Sequence, residues 1–200
     1  MSSQDVFRRD RFTWLAYLML AYYAYMQATL GTLMAFLRVE LGVSYTVSGL
    51  HMSAFALGMI GAGLSSDRLA AWLGRSIMFW GGAAGMAAST VGIMLGRAVP
   101  ITIASALVMG YLGTLLLGSI QASLADHHGP RRTVAFTESN VAASVFATLA
   151  PLTVGFLQRT SVGWRGALVL GVGLLALLAL GLGRAPIPSV QAAAARAGQR

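Results

Sequence analysis

Glu138 is the one carboxylate set inside a long uncharged run, in Ala135-Phe136-Thr137-Glu138-Ser139-Asn140. A helix starting near Thr133 would carry it about 8 Å below its end. A carboxyl at that depth can exchange a proton or hold a polar solute. The same group could instead snorkel to Arg131 or Arg132, a purely structural use. Asn140 offers an amide for hydrogen bonding across helices under either use. A second charged constellation is Gly63-Leu64-Ser65-Ser66-Asp67-Arg68, followed after five residues by Gly74-Arg75. Asp67 is the only acid of that segment and has basic neighbours on both sides, so Asp67 with Arg75 could latch one conformation and release in another. The alternative is an ordinary charged loop. Tyr23 and Gln27 share a stripe with Ala16, Leu20, Gly31 and Met34, spaced three and four residues apart. A mid-membrane Gln is costly against lipid, so this stripe should face a cavity or a neighbouring helix.

Other chemistries drop out. With no Cys, thiol catalysis, disulfides and thiolate metal sites are excluded. His51 lies in an apolar run, where a hydrogen-bonded packing histidine is the commoner case, and His127-His128 reads as a solvated loop pair. Gly42-Val43-Ser44-Tyr45 fits a loose membrane serine-protease pattern, but no later apolar run contains a His to act as base. Phosphate loops and paired hydrolytic carboxylates are absent from the sequence. The expectation is a protein that is not an enzyme and uses no metal and no cofactor.

The elements that position these residues are plain from composition. Of the 200 residues, 56% are hydrophobic and 10% charged, whereas a soluble domain carries about 25% charged residues. Charge-free runs at 12–37, 41–66, 76–96, 98–125 and 166–183, with 133–158 broken only by Glu138, predict six membrane-spanning helices in an all-α fold. Basic residues are all Arg. Arg8, Arg9, Arg11, Arg68, Arg75, Arg131, Arg132, Arg184, Arg196 and Arg200 fall on one side, against Arg38, Arg97, Arg159 and Arg165 on the other. The positive-inside rule then places both termini in the cytoplasm and accounts for the basic balance without nucleic acid. Residues 1–11 form a cytoplasmic segment, 12–183 the bundle, and 184–200, with Pro186 and Pro188, a cytoplasmic linker or tail. Small residues Gly81, Gly85, Ala88, Gly92 and Gly96 mark a packing face on the third helix. Ser53-Ala54-Phe55-Ala56 echoes Ser144-Val145-Phe146-Ala147, and Arg75 echoes Arg165 at nearly the same offset, as a 3+3 inverted repeat would require.

The segment from Gly63 to Arg75 resembles the loop signature of the major facilitator superfamily at Gly63, Asp67, Arg68, Gly74 and Arg75. Pro151 with Gly155 resembles part of that family's fifth-helix pattern. The resemblance covers nearly the whole chain. It implies the amino-terminal half of a transporter of the inner or plasma membrane, moving a small-molecule substrate by alternating access, with proton coupling as one mode. It further implies a cytoplasmic gate at Gly63, Asp67, Arg68, Gly74 and Arg75. Glu138, Tyr23, Gln27 and Asn140 would then line the substrate or ion pathway. Partners are the bilayer and either a second six-helix half or a second copy. The competing expectation is a self-contained six-helix protein: a homodimeric transporter, a substrate-binding subunit or a scaffold.

Overall fold

A computed structural model describes residues 7–188. Residues 1–6 and 189–200, which include Arg196, Arg200 and most of the expected linker, lie outside the described residues. The chain forms α1 (Arg11–Leu41), α2 (Tyr45–Leu73), α3 (Arg75–Leu95), α4 (Val99–His128), a 3-10 turn (Gly129–Arg131), α5 (Arg132–Leu157) and α6 (Arg165–Leu182). No strand is present among the described residues.

Helix ends follow local chemistry. The Asp10 carboxylate caps α1 by accepting from the Thr13 amide at 2.9 Å. Gly42 ends α1 at φ 63°, a left-handed conformation that a glycine adopts without strain. Ser44 caps α2, and Pro100 lies in the first turn of α4, where its missing N–H costs nothing. The expected loop around residues 63–75 is mostly helix. α2 continues through Leu73, and Gly74 alone, at φ 79°, makes the break to α3. No acid, proline or cap stops α2 before Gly74, so Asp67 and Arg68 ride on it. His127 and His128 likewise end α4 rather than occupying a loop.

Among the described residues, four helical stretches are long and apolar enough to cross a membrane: Tyr45–Leu73, Arg75–Leu95, Val99–Leu157 and Arg165–Leu182. The third runs through the 3-10 turn and contains both α4 and α5. α1 is 31 residues long but is not among them. Four tyrosines, Gln27 and three threonines dilute its apolarity. It is also the most enclosed helix, buried along nearly its whole length from Phe12 to Leu37. Three tyrosine hydroxyls tie it outward: Tyr17 donates to Glu138 in α5, Tyr22 to the Ala83 carbonyl in α3 and Tyr25 to the Ala167 carbonyl in α6. A helix surrounded by helices satisfies its polar groups on them and has little lipid-facing surface to keep apolar.

α1 packs most extensively on α5, while α4 packs on α2 and α3. Exchanging α1 with α4, α2 with α5 and α3 with α6 turns the α1–α5 contact into the α4–α2 contact. α2 and α4 touch backbone to backbone. A Cβ on Gly58 would fall against Leu107 and Tyr111, and one on Gly110 would fall against Phe55. On α3 the packing face is Gly82, Gly85, Ser89, Gly92 and Gly96, with Gly82 set against the backbone of Leu112 and Leu116. Gly81 and Ala88, expected on that face, are exposed. Gly82 and Ser89 take their places, while Gly85, Gly92 and Gly96 lie where expected.

Candidate functional site

The start of α1, the turn from α2 to α3, the end of α4 and the start of α5 converge at one end of the bundle, which is the arginine-rich one. Their convergence builds a charged cluster. Arg9 grips Glu138 side-on, with Nη2 2.5 Å from Oε1 and Nε 2.8 Å from Oε2. The Tyr17 hydroxyl donates to Oε2 at 3.1 Å. Two parallel N–H···O bonds plus a phenol fix the carboxylate's plane as well as its charge. Glu138 therefore does have an arginine partner, but from the segment before α1. The expected Arg131 and Arg132 follow the turn of α4 into α5 and make no ion pair among the described residues.

Beside this fork, Asp10 binds in two directions. Its Oδ1 accepts from the Thr13 amide and hydroxyl, and its Oδ2 accepts from His127 Nε2 at 2.8 Å. Since the Thr13 hydroxyl gives its hydrogen to Asp10, His128 Nε2, 3.0 Å away, must donate to Thr13. Partial burial opposes ionisation of Asp10. The Thr13 hydrogen bonds and the neighbouring His127 outweigh it and hold the carboxyl below its usual range. Phe7 and Phe12 stack against His128 and His127, at ring separations of 4.6 and 5.1 Å. Residues 7–13 are thus stitched to the ends of both α4 and α5.

Arg75 does not pair with Asp67. Its Nη1 lies 2.6 Å from Asp126 Oδ2 at the end of α4 and 3.5 Å from the Pro188 carbonyl after α6. The Gly74 turn redirects the chain toward α4, while Asp67 and Arg68 remain exposed on α2, about a turn and a half earlier. Gly63 is exposed too, with nothing near the space a Cβ would take. The close helix approach on α2 is made at Gly58 instead.

Tyr23 is buried against Gly113 and Met86, and Gln27 is half-buried farther along α1. Asn140 is exposed and donates to the Phe136 carbonyl of its own helix at 2.8 Å. It lies in an open groove of about 550 Å³ along α5, with Thr133, Thr137, Val141 and Ser144. The structure thus brings Glu138 to the charged cluster, Asn140 to an open groove and Tyr23 into the core, and it does not join the three in one cavity.

At the opposite end, Arg165 grips Glu40 with Nη1 at 3.0 Å and Nη2 at 2.5 Å, and its Nε donates to the Met94 carbonyl at 3.0 Å. Arg9, Asp10, Tyr17, Asp126 and Glu40 had not been singled out from the sequence. One signal was available: a chain this poor in charge has only six acids, and each is a scarce partner for a nearby Arg.

Comparison with curated proteins gives no match. A family profile described as Major Facilitator Superfamily matches residues 13–199, from the first turn of α1 past the end of α6. The chain belongs to the major facilitator superfamily.

Proposed function

We propose that this multi-pass membrane transporter moves a small solute by alternating access, its bundle working against a second bundle of the same kind. All six α-helices cross the membrane in this reading, and the arginine-rich end faces the cytoplasm of the inner or plasma membrane. The observation that carries it is the outer face of α5. Thr137, Asn140, Ser144 and Thr148 are exposed along more than two turns, each spaced three or four residues from the last. Thr137, Asn140 and Thr148 each donate once to a carbonyl of their own helix, which leaves the Asn140 amide oxygen and the Ser144 hydroxyl to be met by a water-filled path or a partner bundle.

The two ends support the inverted 3+3 repeat. Arg75 opens α3 and grips Asp126 at the end of α4, while Arg165 opens α6 and grips Glu40 at the end of α1. Exchanging the two three-helix units turns one ion pair into the other. Within this reading Glu138 is the coupling or binding carboxylate, which must leave Arg9 to exchange a proton. Gln27 and Asn140 line the path, with Tyr23 packed behind Gln27. Arg75, Gly74, Arg68, Asp67 and Gly63 form the cytoplasmic gate, with Asp126 as the holder of Arg75.

The chain contains no Cys, so single-cysteine variants are clean reporters. Asn140→Cys and Ser144→Cys in lipid vesicles should react with a charged, water-soluble thiol reagent, whereas Leu177→Cys and Leu180→Cys on the exposed face of α6 should not. Equal protection of all four sites would put α5 against lipid and remove the main support. In proteoliposomes, Glu138→Gln should abolish proton-driven flux while leaving folding intact; unchanged flux would exclude Glu138 from coupling.

A further inference from the structure

His51 is 1% exposed in the α2–α4 joint, and none of the gate, path or charged cluster uses it. Its Nδ1 lies 3.1 Å from the Val47 carbonyl and its Nε2 lies 2.9 Å from the Thr102 hydroxyl. That hydroxyl is in turn 3.0 Å from the Val99 carbonyl. The four groups form one line with a carbonyl acceptor at each end. A carbonyl can only accept, so Nδ1 carries a hydrogen toward Val47 in any protonation state that keeps these contacts.

The other half of the line can be filled in two ways. With a neutral ring, the Thr102 hydroxyl donates to the Nε2 lone pair, and the Val99 carbonyl receives no hydrogen from the side chain. With an added proton, Nε2–H donates to Thr102 Oγ1, and the hydroxyl hydrogen swings from Nε2 to the Val99 carbonyl. Both arrangements use the same heavy-atom positions. The only change besides the added proton is the rotation of one hydroxyl hydrogen. A histidine whose second nitrogen faces a fixed donor lacks this freedom, because protonation would set two donors against each other.

We propose that His51 and Thr102 form a proton-binding site in the α2–α4 joint, with the Thr102 hydroxyl as a two-position hydrogen-bond switch. The bound species is a proton from the aqueous phase, added to the Nε2 lone pair. Its route is short: His51 lies six residues into α2 and Thr102 three into α4, about 9 and 5 Å from the helix starts. The joint does not need to open for the switch, and its backbone contact at Gly58 and Gly110 holds the His51 ring and the Thr102 hydroxyl in register.

The charged and titratable groups at this end of the packed helices are Arg38 and Glu40 of α1, Tyr45 of α2, Arg97 before α4, Arg159 after α5 and Arg165 of α6. Glu40 is held by Arg165, and Arg38 lies over the Tyr45 ring at 4.0 Å. Among the described residues none of them bonds to His51. The added charge is therefore held by the two carbonyl dipoles and the hydroxyl.

The proposal does not rest on the transport reading, and its test needs no flux. The full chain, labelled with ¹⁵N-histidine in lipid bilayers, is titrated from pH 4.5 to 9 by ring-nitrogen NMR. His51 is identified by loss of its signals in His51→Gln, or by removing His127 and His128 if that variant does not fold. The expected result is a neutral ring protonated at Nδ1 that passes to the doubly protonated form as pH falls. Thr102→Val removes the switch. Because a hydrogen bond to the charged ring is the stronger of the two states' bonds, the midpoint should drop by about one pH unit, a tenfold loss of proton affinity. Thr102→Ser keeps the hydroxyl and should restore the midpoint. A ring that stays neutral throughout, or a midpoint indifferent to Thr102→Val, overturns the proposal.

Discussion

Replacing Gly58 by alanine should loosen the joint between α2 and α4. A Cβ on Gly58 would lie 2.7 Å from the Tyr111 amide nitrogen and nearer still to the Leu107 carbonyl oxygen, whereas ordinary contact begins at 3.4 Å. Both obstacles are backbone, so no rotamer change relieves the overlap, and the helices must part by at least roughly 0.7 Å. A gap of that size forfeits about a quarter to a half of the dispersion energy of the atom pairs along the joint. Overpacking of this kind costs about 1–3 kcal/mol, and each kcal/mol lowers the melting temperature of a chain this long by about 2–4 °C. Gly58→Ala and Gly110→Ala should therefore each lower the apparent Tm by roughly 2–12 °C. Because both press on one joint, the double variant should lose less than the two separate losses combined. Gly31→Ala and Gly63→Ala meet nothing within 4 Å and serve as controls. They should melt at the parent temperature or slightly above it, since alanine is the better helix former. The assay is thermal unfolding of the detergent-solubilised chain, followed by the fraction remaining monodisperse. If Gly58→Ala melts with Gly63→Ala, the backbone contact between α2 and α4 is wrong.

Two further outcomes follow from the charged end. Asp126→Asn removes the carboxylate from Arg75, whose side chain is 13% exposed. A thermal double-mutant cycle with Arg75→Gln should show a coupling of about 1 kcal/mol, discounted for the greater exposure of Asp126. A coupling of zero would refute the pairing. Asp10 has its carboxyl held below the usual range, so its contribution to stability is present in full above that range and is lost as pH falls through the lowered folded value. Asp10→Asn should accordingly melt below the parent at pH 6–7 and converge with it in strong acid. A difference that persists unchanged to the lowest pH would mean that the Asp10 charge does not contribute.

The all-helical fold was readable because charge-free runs and helix-ending glycines are local signals. Gly42 and Gly74 each end a helix, and the arginines flank the apolar runs. Pairing between distant segments was not readable. Arg9 and Glu138 are 129 residues apart, and in the sequence Arg131 and Arg132 are much nearer candidates. Proximity along the chain favoured the wrong partners, because the α4–α5 turn carries Arg131 and Arg132 past the carboxylate. The α2–α4 joint did leave a trace in Ala54, Gly58 and Ala62, small residues four apart and buried on one face. That pattern identifies a tight face but not the helix that meets it. On α3 the stripe departs from expectation only at Gly81 and Ala88, since both Gly81 and Gly82 fit a stripe and only contact with Leu112 and Leu116 separates them.

The enclosed position of α1 has a consequence for how the molecule is made. In the proposed six-span topology, a chain synthesised from its amino terminus delivers α1 to the bilayer before α2 to α6 exist. At that moment the Tyr22 and Tyr25 hydroxyls face lipid or the insertion machinery, because their acceptors on α3 and α6 have not been synthesised. The helix with the weakest claim to the membrane enters first and is secured last, when α5 and α6 close around it. Assembly of this bundle thus depends on holding its first helix in waiting, and truncation after α4 should leave α1 prone to slip back into water.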